Sequence, residues 1–301
     1  MLGEKQILNF ITIDYPNFSI DNVEFVGEGC DSEAFLINDT YIFLFAKWEE
    51  NIRQLKIVAR LLPVLCKNLT AKIPDIKFVS HIRNVGSYIG YEKLTGEPLE
   101  KEYLLSLSFE KRQPLLKGLV QFLVELHSFP IDIAKSLEVK VINFEVEYKF
   151  LYNNAIELIY PLVNDSTKKY LKDLFEFYLS DPTNFSYSPS LIHADLSPGH
   201  ILFDPMQNLI TGIIDFGDIQ IADPHYDFKY FLTDYGTIIT TEIIELYSPC
   251  RSKTILEKVD FFVRCENFMD IIDTIKTTEV STAKLDKLQN EAAIWTTSHS
   301  I

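Results

Sequence analysis

The sequence predicts an α+β fold of two lobes: a small N-terminal lobe built on an antiparallel sheet and a larger, mainly helical C-terminal lobe. Three observations carry the prediction. Short runs rich in aromatic and β-branched residues crowd the chain before residue 93. Apolar residues recur at helical spacing through most of the chain beyond that point. One pair of β-type runs interrupts the helical part between Leu191 and Ile214. With no internal repeat and no low-complexity linker, the lobes are read as 1–93 and 94–301. The second divides into a core, about 94–135 and 190–248, and a helical part, about 136–189 and 249–301.

In chain order, Val23–Val26, Glu33–Ile37 and Tyr41–Phe45 read as strands, separated by turns at Gly27–Gly29 and Asn38-Asp39, which gives a three-stranded meander. Glu49–Leu65 carries Ile52, Leu55, Val58, Ala59, Leu62 and Leu65 at helical spacing. Pro74 precedes two strand-like runs, Ile76–Val79 and Ser87–Tyr91. Helices are predicted over Leu115–His127, Phe144–Leu162 and Lys168–Leu179, and again from Asp227 onward. Ile201–Phe203 and Leu209–Ile214 form the hairpin between them.

Composition narrows the function classes. Lys plus Arg number 28 against 43 Asp plus Glu, a formal net charge of −15 over 301 residues. Such a chain repels phosphate backbones, so nucleic acid is not an expected partner. The charge suits a cationic small-molecule substrate, or serves solubility alone. The four cysteines, Cys30, Cys66, Cys250 and Cys265, show no C-x-x-C pair or zinc spacing and read as buried free thiols in a reducing compartment. The start MLGEKQILNF lacks the basic and apolar regions of a signal peptide, and no apolar run is long enough to span a bilayer. A soluble, cytoplasmic monomer with no membrane partner is expected.

Chemistry-bearing residues fall in two segments. The first is Leu191-Ile192-His193-Ala194-Asp195-Leu196-Ser197-Pro198-Gly199-His200-Ile201-Leu202-Phe203-Asp204; the second is Gly212-Ile213-Ile214-Asp215-Phe216-Gly217-Asp218. Each sets a carboxylate on a loop beside a short strand. Phosphoryl transfer calls for such a pair, one to accept or orient the proton of the attacking hydroxyl and one to hold a divalent cation against nucleotide phosphates. Asp195 and Asp215 stand twenty residues apart and are followed by Asp223-Pro224-His225-Tyr226-Asp227. The ordered set separates them from acids that only cap helices or shape turns.

These segments resemble the aminoglycoside phosphotransferase family, which has the protein-kinase-like bilobal fold, a catalytic segment of H-x-D-x-x-x-x-N type and a later I-D-F/W-G/E metal segment. The likeness is greatest to the aminoglycoside 2″-phosphotransferases. It implies Asp195 as catalytic base and Asp215 as principal Mg²⁺ ligand, with GTP or ATP as phosphoryl donor. His200 falls where most of the family has the second ligand, Asn; a neutral imidazole can ligate a divalent ion, although Mg²⁺ prefers oxygen. The resemblance implies supporting roles for His193, Ser197, Asp218 and Asp227, with His193 bracing the catalytic loop. It makes Gly27-Glu28-Gly29-Cys30-Asp31-Ser32 the nucleotide-covering loop, with Gly27, Gly29 and Ser32 as contacts, although a G-x-G hairpin alone is a common turn. Tyr91-Glu92-Lys93-Leu94-Thr95-Gly96 resembles the hinge, where Lys93 and Leu94 would face the purine edge. Tyr91 is either a bulky residue favouring GTP or a buried strand tyrosine.

The pattern breaks at two places. Leu44 stands where the family has the phosphate-binding cation of the third strand, and Val58 where the next helix has its partner Glu. Lys47, three residues on, is turned to the opposite face by pleat alternation if the strand continues. An aminoglycoside hydroxyl, at the 2″ position, is the implied acceptor, with Asp234, Glu266 and Asp270 as candidate carboxylates for its ammonium groups. The alternatives are a kinase of another small molecule (a macrolide, choline or a sugar) and a catalytically impaired nucleotide-binding module.

Overall fold

In the computed structural model, which describes residues 2–81, 86–277 and 281–298 (backbone alone for 296–298), the first strands lie where alternation predicts them. β1 (Val23–Glu28), β2 (Ser32–Ile37) and β3 (Tyr41–Ala46) make the antiparallel meander. Asn38 and Asp39 both take φ of 54° between β2 and β3, the left-handed turn geometry that matches hairpin twist. β4 (Ile76–Val79) and β5 (Tyr88–Glu92) extend the sheet in the order β1-β2-β3-β5-β4. An N-terminal helix, α1 (Glu4–Asp14), is not among the predicted elements, although Ile7 and Ile11 have helical spacing. Both are fully buried against Phe35, Ile37, Phe43, Phe45 and Tyr88. α2 (Glu49–Leu65) has the predicted bounds and buries Ile52, Ile57, Val58, Leu61, Leu62 and Leu65.

Beyond β5, β6 (Glu97–Pro98) precedes α3 (Lys101–Ser106), α4 (Phe109–His127) and α5 (Ile131–Ser136). β7 (Ser190–Ile192) pairs with β10 (Gln220–Ala222), and β6 joins the hairpin of β8 (Ile201–Asp204) and β9 (Leu209–Ile213). That junction requires glycine. Gly96 has φ of 139°, and a Cβ there would lie 2.3 Å from Thr211 Oγ1. Leu94 packs on Gly212, where a Cβ would lie 2.9 Å from its Cδ1. Leu94 and Gly96 are therefore pinned directly on the hairpin that carries the second chemical segment.

Residues 1–140 with 190–221 form one compact unit, which holds the sheets and α1–α5; residues 141–189 with 222–301 form another. The second unit is helical: α6 (Phe144–Asn154), α7 (Asp165–Ser180), α8 (Thr237–Tyr247), α9 (Ser252–Thr277) and α10 (Thr282–Ser298). The single helix predicted through Leu162 changes form after Asn154, passing through a π turn at Ala155–Ile159 and a 3₁₀ turn at Tyr160–Leu162. Pro161 has no N–H to continue an α-helix. The core of this unit is aromatic, with Tyr178 and Phe261 stacked at 3.5 Å between ring centroids. Trp295 belongs to its packing, with its ring 5.5 Å from that of Tyr170 and under the Arg264 guanidinium.

All four thiols are free, but only Cys265 is fully buried. Cys30 and Cys250 are exposed, contrary to expectation, because they occupy turns rather than core faces. Among the described residues, no helix is long and apolar enough to cross a membrane.

Candidate active site

The two chemical segments converge in the first unit through their backbones. His193 is fully buried, and its ring bridges them. Nε2–H donates to the Ile214 carbonyl at 3.0 Å, and Nδ1 accepts the Asp195 N–H at 3.3 Å. A second tie runs from the Ile214 N–H to the His200 carbonyl at 2.9 Å. These bonds hold two non-glycine residues at positive φ, Ala194 at 68° and Asp215 at 64°. Such conformations persist only where surroundings over-determine them, and they concentrate at functional sites. Phe216, 2% exposed, packs its ring 4.7 Å from that of His193 and keeps the turn after Asp215 in place.

Asp195, His200 and Asp215 come together at the end of this scaffold. Among the described residues they form the one group of three whose ligand atoms all lie within 4.8 Å of each other. His200 Nδ1 is 2.6 Å from the Asp195 carbonyl oxygen and 3.2 Å from Ser197 Oγ. The carbonyl only accepts, so Nδ1 carries the proton. Nε2 of the neutral ring then presents a lone pair toward Asp215 Oδ2, 3.4 Å away. Two acceptors facing each other at that distance are stable with a cation between them or with the imidazole protonated. The backbone bond that fixes the tautomer is the usual support of a metal-binding histidine. The donor set, an imidazole nitrogen and two carboxylates, fits a divalent cation.

The triad lines a cleft of about 290 Å³. Of the expected nucleotide contacts, Gly29, Ser32 and Tyr91 line the cleft. Gly27, Lys93 and Leu94 lie elsewhere: Gly27 pairs with Ala34 in the sheet, and the Lys93 N–H donates to the Thr40 carbonyl at 2.8 Å. Tyr91 is buried, and that burial, with the Asp215 carboxylate adding to it, pushes its phenol well above the ordinary tyrosine range. Asp218 also lines the cleft.

α2 contributes one face to the cleft, through Asn51, Gln54, Leu55, Val58 and Leu62, opposite Leu44 and Ile89 of the sheet. Asn51 and Gln54 were legible only as the polar end of that helical row. β3 ends at Ala46, and Lys47 turns back to the loop between β1 and β2. Its ammonium lies 3.0 Å from both Glu28 Oε2 and the Gly29 carbonyl. That contact holds the Glu28 carboxyl below its ordinary range.

The second unit holds the candidate acceptor contacts. Glu266 Oε1 is 2.7 Å from Lys229 Nζ, whose side chain is 3% exposed. Burial would lower the Lys229 pKa, but Tyr226 and Glu266 outweigh it and hold the ammonium above its usual range. Asp270 pairs with Lys284 at 2.8 Å in a far more open setting, 62% and 38% exposed. Asp234 lies in the π turn Phe231–Tyr235. Asp227 is buried in the 3₁₀ turn Pro224–Phe228. Sequence reasoning missed the buried pair of Lys258 with Asp223, and Lys229 itself; both are long-range pairings with no local signal.

The sequence pattern of the phosphotransferase enzyme family (APH) matches residues 22–248. Uncharacterized protein YcbJ of Bacillus subtilis (strain 168) is 27% identical over 193 residues, 62% of this chain and 60% of that protein. Among solved structures, the GDP and kanamycin complex of APH(2'')-IIIa matches with a TM-score of 0.87 at 28% identity, covering 97% of this chain and 98% of the other. The GDP complex of wild-type aminoglycoside 2'-phosphotransferase-IIIa gives 0.89 at 29%, covering 97% and 99%. Macrolide 2'-phosphotransferase type I shares the fold, with a TM-score of 0.70 at 14% identity over 97% and 98% of the two chains. The protein-kinase-like fold implied by the sequence is thereby established.

Proposed function

We propose that this chain, which belongs to the phosphotransferase enzyme family, transfers the γ-phosphoryl of GTP or ATP to an aminoglycoside hydroxyl, the 2″ position being the expected one. The observation that carries this reading is the convergence of Asp195, His200 and Asp215 within 4.8 Å, with Asp215 itself and Ala194 beside Asp195 held at positive φ. Asp195 orients the acceptor hydroxyl and takes its proton. The acceptor oxygen forms its bond to the γ-phosphorus as the β–γ bridging bond breaks, and that electron pair leaves on the nucleoside diphosphate. His200 and Asp215 would hold Mg²⁺, which when bound offsets the charge of the phosphates. His193 fixes the catalytic loop. Gly29 and Ser32 serve the phosphates, and Tyr91 serves the base. Asp234, Glu266 and Asp270 are the proposed carboxylates for the acceptor's ammonium groups.

Leu44 and Val58 in the cleft favour a second reading, a nucleotide-binding module with impaired turnover. The test is transfer from GTP and, separately, ATP to kanamycin, gentamicin and tobramycin with Mg²⁺, beside Asp195→Ala. Turnover that vanishes in the variant supports the kinase reading. Nucleotide binding without turnover on these acceptors or on a macrolide, choline and sugar panel supports the module.

A further inference from the structure

The cleft holds no lysine or arginine among the described residues that line it. Its carboxylates are Asp31, Asp195, Asp215 and Asp218, and its other titratable groups are His200, Cys30 and Tyr91. Leu44 on β3 and Val58 on α2 both line the cleft. Lys47, just past the end of β3, is held 3.0 Å from both Glu28 and the Gly29 carbonyl and is absent from the lining. Asp31 is bound by the neutral Asn51 amide at 2.8 Å. A nucleoside di- or triphosphate entering alone would meet carboxylates and no fixed positive charge. At an effective dielectric of about 20, one like-charge pair about 6 Å apart weakens binding about 100-fold.

Resting on the reading that this cleft takes a nucleotide, we propose that nucleotide and divalent cation bind to this chain only as a coupled pair, and that Leu44 and Val58 impose the coupling. In a cleft that presents a fixed ammonium to the phosphates, metal-free nucleotide keeps a partner. Here the imported cation at His200 and Asp215 supplies the positive charge that the described residues lining the cleft do not. The apolar pair is consistent with this division of labour, because a lysine buried there without its glutamate would carry a desolvation penalty, whereas Leu44 and Val58 pack without one.

The experiment is calorimetric titration of the whole chain with GDP, and with GTP, ADP and ATP, in excess Mg²⁺ and in EDTA. The expected result is GDP affinity at least about 100-fold weaker in EDTA. In Leu44→Lys/Val58→Glu the ratio between the two conditions should fall at least about tenfold. If the double variant does not fold, the wild-type ratio and its loss in His200→Ala decide the matter. GDP affinity in EDTA within about threefold of that in Mg²⁺ would overturn the coupling and leave the kinase reading standing. Absence of binding by all four nucleotides in Mg²⁺ would overturn the kinase reading itself, and the coupling with it.

Discussion

Replacing His193 by Phe isolates the polar work of one buried ring. The side chain is fully buried, with Phe216 and Phe122 at 4.7 and 6.5 Å between centroids, so a phenyl ring keeps the packing. What it removes is the bond to the Ile214 carbonyl at 3.0 Å and the bond from the Asp195 N–H at 3.3 Å. Each neutral bond contributes about 0.5–1.5 kcal/mol, and a carbonyl left dry costs more, so the expected loss is about 1.5–4 kcal/mol. That is a substantial part of a total stability of about 5–15 kcal/mol. The same two bonds flank Ala194 and Asp215, whose φ angles of 68° and 64° relax once the tie is cut. Transfer should then fall about 10–100-fold through misplacement of the reacting groups. Urea unfolding followed by circular dichroism, with the slope unchanged, gives the first quantity; initial rates give the second. His193→Gln, able to restore one bond, should recover part of both. A stability loss below about 0.5 kcal/mol would refute the assignment of the bonds. Lost stability with unchanged transfer would refute the positioning role.

Other perturbations draw on the same geometry. Gly96→Ala should lower stability by about 2–4 kcal/mol in thermal unfolding, since it combines a φ of 139° with a 2.3 Å approach to Thr211 Oγ1; Thr211→Ala in the same chain should recover part of the loss. Lys47→Met should change stability by under about 1 kcal/mol yet weaken Mg²⁺·GDP binding several-fold by calorimetry, because it frees the loop from its anchor. Glu125 accepts the Thr70 N–H and hydroxyl and the Gln121 amide at 2.7 Å each, which outweighs its partial burial and holds its pKa below 4.5. A depressed folded pKa gives stability that is present above the unfolded value and lost as pH falls through the folded one, so the gap of about 1 kcal/mol between wild type and Glu125→Gln should close in acid. Glu266→Gln should cost about 3–5 kcal/mol in urea unfolding by leaving Lys229 buried without its carboxylate, whereas Asp270→Asn should leave stability within about 1 kcal/mol and raise the acceptor KM.

What the sequence made legible is what local periodicity and ordered motifs encode. The meander from Val23 to Ala46 and helix Glu49–Leu65 lie where alternation and the 3.6-residue period put them. Asp195, His200 and Asp215 were found as a motif, and the fold brings their ligand atoms within 4.8 Å. α1 escaped because only Ile7 and Ile11 of its eleven residues are buried, too thin a stripe to stand out. Lys47 was legible only conditionally. Pleat alternation turns it to the opposite face if the strand continues, whereas β3 ends at Ala46 and the ammonium goes to Glu28. The Lys229–Glu266 and Lys258–Asp223 pairs join residues 37 and 35 positions apart, a separation no local period reports.

The distribution of cations gives the net charge of −15 a structural meaning. Lys47 is engaged by Glu28, Lys229 by Glu266, Lys258 by Asp223, Arg264 by Asp260 and Lys284 by Asp270. Two of these, Lys229 and Lys258, are buried, and a buried ammonium stripped of its carboxylate is strongly destabilising, so neither can turn toward a ligand without loss of fold. The exposed pairs are weak and exchangeable, and a polyammonium ligand can take the place of a lysine such as Lys284. An anionic ligand has no equivalent exchange available to it in the cleft. Under the proposed reading, cation recognition can draw on carboxylates already at the surface, while phosphate recognition depends on charge brought in from solution. This asymmetry makes Asp270, rather than Glu266, the carboxylate better suited to meet an acceptor, and makes metal concentration the variable to which nucleotide binding should respond most steeply.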